Sequence, residues 1–174
     1  PYESSELVNP LTHLVTVKAK LPPGTINTAG ENFAKIGGAI LNKPYNSAIL
    51  GKQGNYIHSW TVRINTQQKS YTSPIIITDV IPDSSAPMQF IPETFILRSG
   101  SFTNSLSSIS NAKILKLGTD YTVTFNATYT EFTLTIPNPG NSAYMLRYST
   151  TSPEDGSIVA NTVKMEVLGQ KKKK

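Results

Sequence analysis

Between residues 13 and 168 the chain falls into short runs of Ile, Val, Thr, Tyr and Phe, each closed by a cluster of Pro, Gly, Asn, Asp or Ser. This texture predicts strands at 13–20, 33–43, 56–65, 74–81, 94–98, 113–117, 120–126, 131–136, 143–150 and 158–168. Several alternate apolar and polar residues, the period of a strand with one buried face. The breaks carry turn chemistry: Pro22-Pro23-Gly24, Pro82-Asp83-Ser84, Gly118-Thr119-Asp120, Pro137-Asn138-Pro139-Gly140 and Pro153-Glu154-Asp155-Gly156. No amphipathic helical period lasts three turns. Residues 99–112 (SGSFTNSLSSISNA) are predicted to form a long surface loop. Short strands at this spacing imply an all-β fold, an Ig-like β-sandwich.

The chain also repeats itself. Laid without gaps on residues 136–165, residues 7–36 match Asn9 with Asn138, Pro10 with Pro139, Asn32 with Asn161 and Lys35 with Lys164. Apolar positions keep the register: Val15, Val17 and Ala19 meet Tyr144, Leu146 and Tyr148, while Ala34 and Ile36 meet Val163 and Met165. The period is domain-sized. The expected organisation is tandem: 1–36 as the closing strands of a preceding repeat, 37–169 as a complete Ig-like domain, and 170–174 as linker or tag.

Bulk properties narrow the function. Cysteine is absent, which removes disulfides, thiol catalysis and Cys-ligated zinc. There is no apolar run of about 18 residues, so no membrane insertion is expected, and no signal peptide opens the chain. The net charge of +5 owes four units to Lys171–Lys174, and the other charges are scattered singly. No clustered basic face with interleaved aromatics is visible, so nucleic acid is not an expected partner. His13 and His58 lack neighbours at metal-ligand spacing, and no metal or cofactor is expected. Ser and Thr are abundant, yet no nucleophile elbow or triad order is present. Asn126-Ala127-Thr128 is a formal glycosylation sequon that reads better as a strand-end Asn. Trp60 reads as core. An enzyme acting on external substrates is not expected.

Three polar residues fall in step with apolar ones. Asp79 shares a face with Ile75, Ile77 and Ile81, and Asn161 shares one with Val159, Val163, Met165 and Val167. Lys43 follows Ala39 and Leu41 in step. A buried charge or amide costs several kcal/mol unless it is paired, so inward-pointing Lys, Asp and Asn call for one another. Desolvation favours a neutral amine and a protonated acid. The amine could then attack the carboxamide carbon while the acid shuttles protons and ammonia leaves. Holding the groups together gives effective molarities of order 10⁵ M or more. The product would be a Lys–Asn isopeptide cross-link, constraining the unfolded chain where disulfides are missing. The alternatives are a satisfied polar cluster, or an Asn and Asp serving turns at strand ends.

The run from Ile57 through Trp60 and Val62 to Asn65, then Ile75 to Pro82 around Asp79, resembles the "W-x-V-x-x-N … I-x-D-x-x-P" core of Ig-like domains in Gram-positive surface adhesins and pilins. Those are the collagen-adhesin A-region and isopeptide-bonded pilin types. Gly118–Val123 with Phe132–Ile136 resembles their later strands. Tyr144–Thr150 and Asn161-Thr162-Val163 resemble their closing strands. The resemblance spans roughly 40–168 and rests on the order and spacing of loose pieces. It implies an adhesin or pilin variant of the sandwich, with Asp79 as proton shuttle, Asn161 as cross-link acceptor and the lysine on the first strand.

Lys43 is the expected cross-linking lysine, with Lys52 a distant second. Pro44 directly after Lys43 departs from the family pattern. Lys18 and Lys20 alternate against Val15, Val17 and Ala19, which predicts that they face solvent in the preceding repeat. The expected function is a structural or adhesive module of an extracellular, cell-wall-linked Gram-positive surface protein or pilus. Its expected partners are neighbouring repeats or subunits. The runner-up is a ligand-binding adhesin domain gripping a host or matrix protein with its loops, 99–112 first among them, or with an inter-domain groove, and a third reading keeps the fold without the cross-link.

Overall fold

The computed structural model describes residues 11–19, 26–28, 33–83, 85, 87–102, 109–152 and 159–167. Pro22–Gly24, Pro153–Gly156, Lys20 and the Lys171–Lys174 run lie outside them. The described strands form two antiparallel sheets. One is five-stranded, in the order β1 (Leu11–Ala19), β11 (Val159–Val167), β5 (Ile75–Val80), β9 (Glu131–Ile136) and β8 (Thr122–Phe125). The other is six-stranded: β2 (Ile26–Thr28), β3 (Phe33–Ser47), β4 (Lys52–Ile64), β10 (Ala143–Thr151), β6 (Ile96–Phe102) and β7 (Ile109–Ile114). A 3₁₀ turn at Pro92–Thr94 leads into β6. The fold is an all-β, Ig-like sandwich.

Period-two alternation places the core between the sheets. On β4, Trp60, Val62 and Ile64 are fully buried, and on β9 Phe132, Leu134 and Ile136 fill the same layer from the opposite sheet. Each such side chain contributes roughly 1.5–3 kcal/mol by leaving water. Trp60 donates its indole N–H to Thr150 Oγ1 at 3.0 Å, so the largest core residue also satisfies its polar edge.

One expectation about local structure is revised. Residues 99–112 are not one loop: Ser99 pairs with Lys113, Ser101 with Ser110 and Phe102 with Ile109, building the β6–β7 hairpin. Its strands are rich in Ser and Asn because β7 is an edge with no buried residue on either face, and the apolar period is therefore faint. The stretch 103–108 between them lies outside the described residues. The break expected between residues 36 and 37 falls inside β3, which runs continuously from Phe33 to Ser47 along β4.

Candidate functional site

Asp79 and Asn161 come together. β5 and β11 are neighbours, Val163 pairs with Asp79, and Asn161 is the diagonal neighbour on the same face. Both are completely buried. The third member of the cluster comes from the opposite sheet: Tyr148 on β10, also in the core, donates its hydroxyl to Asp79 Oδ2. Its ring stacks on Phe95 at 4.8 Å and meets Phe132 edge-on at 5.3 Å. An aromatic box thus holds the phenol against the carboxylate.

Burial pushes the Tyr148 phenol well above its ordinary value, the adjacent Asp79 carboxylate pushes it further, and the approach of the Asn161 amide opposes this only in part. Tyr148 therefore stays protonated and acts as a donor. Neither Nδ2 nor Oδ1 of Asn161 makes a hydrogen bond of ordinary geometry. A carboxamide left so in the core is costly, which is the condition the cross-link chemistry would exploit.

Lys43 is elsewhere. It is exposed and lies on the outer face of the six-stranded sheet, with that sheet between it and the Asp79–Asn161 pair. The inward phase expected from Leu41 fails for a physical reason. Register along β3 shifts between Gly37 and Ile40: Gly37 pairs with Trp60, but Ile40, three residues on, pairs with His58 only two residues away. The extra residue is a bulge that turns the following residues over, and Leu41 is accordingly 40% exposed. On β1, Val17 pairs with Asn161 and Lys18 with Ala160. Among the described residues, no group of three His, Cys, Asp or Glu could hold a metal.

The sequence reading gave no role in the fold to three residues that carry structural weight. Tyr148 was legible as a phenol in step with Tyr144 and Leu146. Asn65, at φ 54°, donates to the carbonyls of Lys69 and Ser142 and accepts from the Lys69 amide, pinning the 65–69 turn to the start of β10. His58 is fully buried in step with Trp60 and Val62, 4.7 Å from the Trp60 ring, with neither ring nitrogen hydrogen-bonded. Burial pushes its pKa down to about 4. Asn126, by contrast, closes the β8–β9 hairpin as expected, its Oδ1 accepting from the amides of Thr130 and Glu131.

The outer face of the six-stranded sheet carries an open groove of about 530 Å³, lined by Leu41, Lys43, Ile57, Ile96, Arg98 and Arg147 among others. Glu93 sits at its rim. Burial tends to raise the Glu93 carboxyl, but hydrogen bonds from Ser47 Oγ and the Ile49 amide outweigh it and hold the group below its ordinary value.

No protein-family profile matches the sequence, and no curated protein does. Solved structures do. The Enterococcus faecalis surface protein ACE, described as binding its ligands by a collagen hug, gives a TM-score of 0.52 at 15% identity over 94% of this chain and 56% of that one. The collagen-binding domain of Erysipelothrix rhusiopathiae surface protein RspB gives 0.51 at 11% identity over 95% of this chain and 54% of that one. The fold is the Ig-like sandwich of these adhesins. The collagen-binding domain of a Staphylococcus aureus adhesin, at 0.47 and 18% identity over 66% of this chain and 83% of its own, is too slight a likeness to argue from. The chain spans little more than half the length of these ACE and RspB structures.

Proposed function

We propose that the chain is an adhesive module of a Gram-positive cell-surface protein or pilus, working outside the cell and linked to neighbouring repeats or subunits of the same protein. The observation that carries this reading is the fold shared with two collagen-binding adhesins over nearly the whole chain. A two-sheet sandwich with no catalytic constellation among its described residues suits a role in holding rather than transforming. Solid-phase binding of the purified chain to immobilised matrix proteins, triple-helical collagen first, tests it. Saturable retention is expected, and none on any matrix protein overturns the adhesive role.

The finer reading is an autocatalytic isopeptide bond. Asn161 supplies the carboxamide and Asp79 the proton shuttle, with a bond forming from lysine Nζ to Asn161 Cγ as the Cγ–Nδ2 bond breaks and ammonia leaves. The burial of both groups side by side supports it. The amine is Lys43 in an arrangement of β3 other than the one seen, or Lys18 on β1, or Lys20. The intact mass of the folded chain decides. One ammonia less than the sequence mass is expected, and a full mass removes the cross-link while leaving the adhesive reading untouched.

A further inference from the structure

We propose that the outer face of the six-stranded sheet is a docking surface for an acidic, partly apolar polypeptide segment of a partner protein. The inference deepens the adhesive reading by naming a partner chemistry, and it rests on that reading for its setting.

Strand register gathers the cations. Arg98 pairs with Met145 and Arg147 with Ile96, so the two arginines are diagonal neighbours on one face, about 7–8 Å apart at the backbone. Met145 also pairs with Arg63 on its other side, which places a third arginine on the same face, about 10 Å from Arg98 at the backbone across β10. Lys43 closes the opposite side of the groove. None of these four cations makes an ion pair with a carboxylate among the described residues; the salt bridge seen there is Lys164 with Glu166, on the other sheet. The acid at the rim, Glu93, is already committed to Ser47 and Ile49.

Like charges gathered on one sheet face repel, and ordinary folds intersperse them with acids. Here a single acid, Glu93, lines the groove with Lys43, Arg98 and Arg147, and its hydrogen bonds to neutral donors leave its charge in place, so the groove keeps a net positive charge. A cationic, concave surface attracts an anionic partner and speeds its encounter. The apolar neighbours refine the choice of partner. Leu41, Ile96 and Ile114 expose 40%, 39% and 65% of their surface on the same face, Ile114 directly opposite Arg98 in the β6–β7 pairing. A sulfated polysaccharide would meet the arginines but offer nothing to the three aliphatic side chains. An extended segment alternating carboxylates with apolar residues meets both.

The test titrates the full chain with a labelled peptide of alternating Glu and Leu. A Lys–Leu peptide and heparin are the comparators. Binding to the Glu–Leu peptide is expected, weakening as salt rises from about 0.05 to 0.5 M. The double variant Arg98→Glu/Arg147→Glu should lose at least about tenfold in affinity with an unchanged melting temperature. Lys69→Glu/Lys164→Glu, which alters net charge equally at the 65–69 turn and on the other sheet, outside the groove lining, should bind as the parent does. Equal loss in both variants, or no binding by the parent, overturns the proposal. So does heparin binding tighter than the peptide through the same two arginines, which would assign the face to a polysaccharide. Collagen retention, measured on the same variants, shows whether the adhesive reading stands apart from the outcome.

Discussion

The Tyr148 hydroxyl reaches across the sandwich to the Asp79 carboxylate, joining β10 of one sheet to β5 of the other through a hydrogen bond with no solvent access. A phenol is long enough to span the gap, and its ring is held by Phe95 and Phe132 whether or not the hydroxyl is present. Tyr148→Phe should therefore keep the packing and remove the donor. Hydrogen bonds to a charged group are worth about 1.5–3 kcal/mol, so the variant should melt several degrees lower. An unchanged melting temperature would show that the contact contributes nothing net.

The fate of the expected trio shows what alternation can and cannot reveal. Asp79 and Asn161 were placed inward because β5 and β11 keep an unbroken period of two, and their paired registers contain no shift. Lys43 follows a register shift at Gly37/Ile40 and sits within another at Asn42/Tyr45. A bulge adds a residue without leaving a mark in apolar composition, so the phase inferred from Leu41 belongs to a strand that does not exist. Strand positions were legible for the same reason that Asp79 was. The β6–β7 hairpin was hidden because an edge strand needs little apolar character.

His58 should make the fold acid-sensitive. Its pKa lies at about 4 in the folded chain against 6.5 for an exposed imidazole, because burial disfavours the charged ring. The unfolded chain then binds the extra proton first, so the contribution is complete above about pH 6.5 and is lost as pH falls toward 4. The loss is on the order of 2–3 kcal/mol. His58→Phe should flatten this part of the denaturation profile while keeping the contact with Trp60. Parallel profiles for variant and parent between pH 6.5 and 4 would locate the acid sensitivity elsewhere.

Asn65 combines a left-handed backbone with three side-chain hydrogen bonds. Asn65→Gly keeps the backbone conformation available and removes the bonds, whereas Asn65→Ala strains the backbone as well. Both should destabilise, by about 2–4 kcal/mol for Gly and more for Ala. Chemical denaturation of the two variants gives the order, and Ala equal to or milder than Gly would argue against backbone strain.

Gly100 lies at the register shift in the β6–β7 hairpin, and a Cβ there would sit 2.4 Å from the Ser110 carbonyl oxygen. Backbone cannot swing away as a side-chain tip can. Gly100→Ala should therefore open the hairpin locally, at a cost of roughly 1–3 kcal/mol. Hydrogen exchange at the amides of residues 109–114 should rise selectively. Protection equal to the parent would show that the edge relaxes freely.

The domain boundary can be tested at Phe33. This residue starts β3, pairs with Ile64 and is fully buried in the core cluster with Trp60 and Leu97. Fragments 33–169 and 37–169 both lack β1, so both leave the same edge of β11 uncovered, and they differ only in Phe33–Ile36. If 37–169 were a self-sufficient repeat, the two would melt together. Deleting a buried phenylalanine ring typically costs about 3–5 kcal/mol, and the lost pairing with β4 adds to it. The 37–169 fragment should therefore unfold at a distinctly lower denaturant concentration than 33–169, with Phe33→Ala in the longer fragment recovering most of the difference. Coincident unfolding curves would return the boundary to residue 37 and make the Phe33 contact incidental.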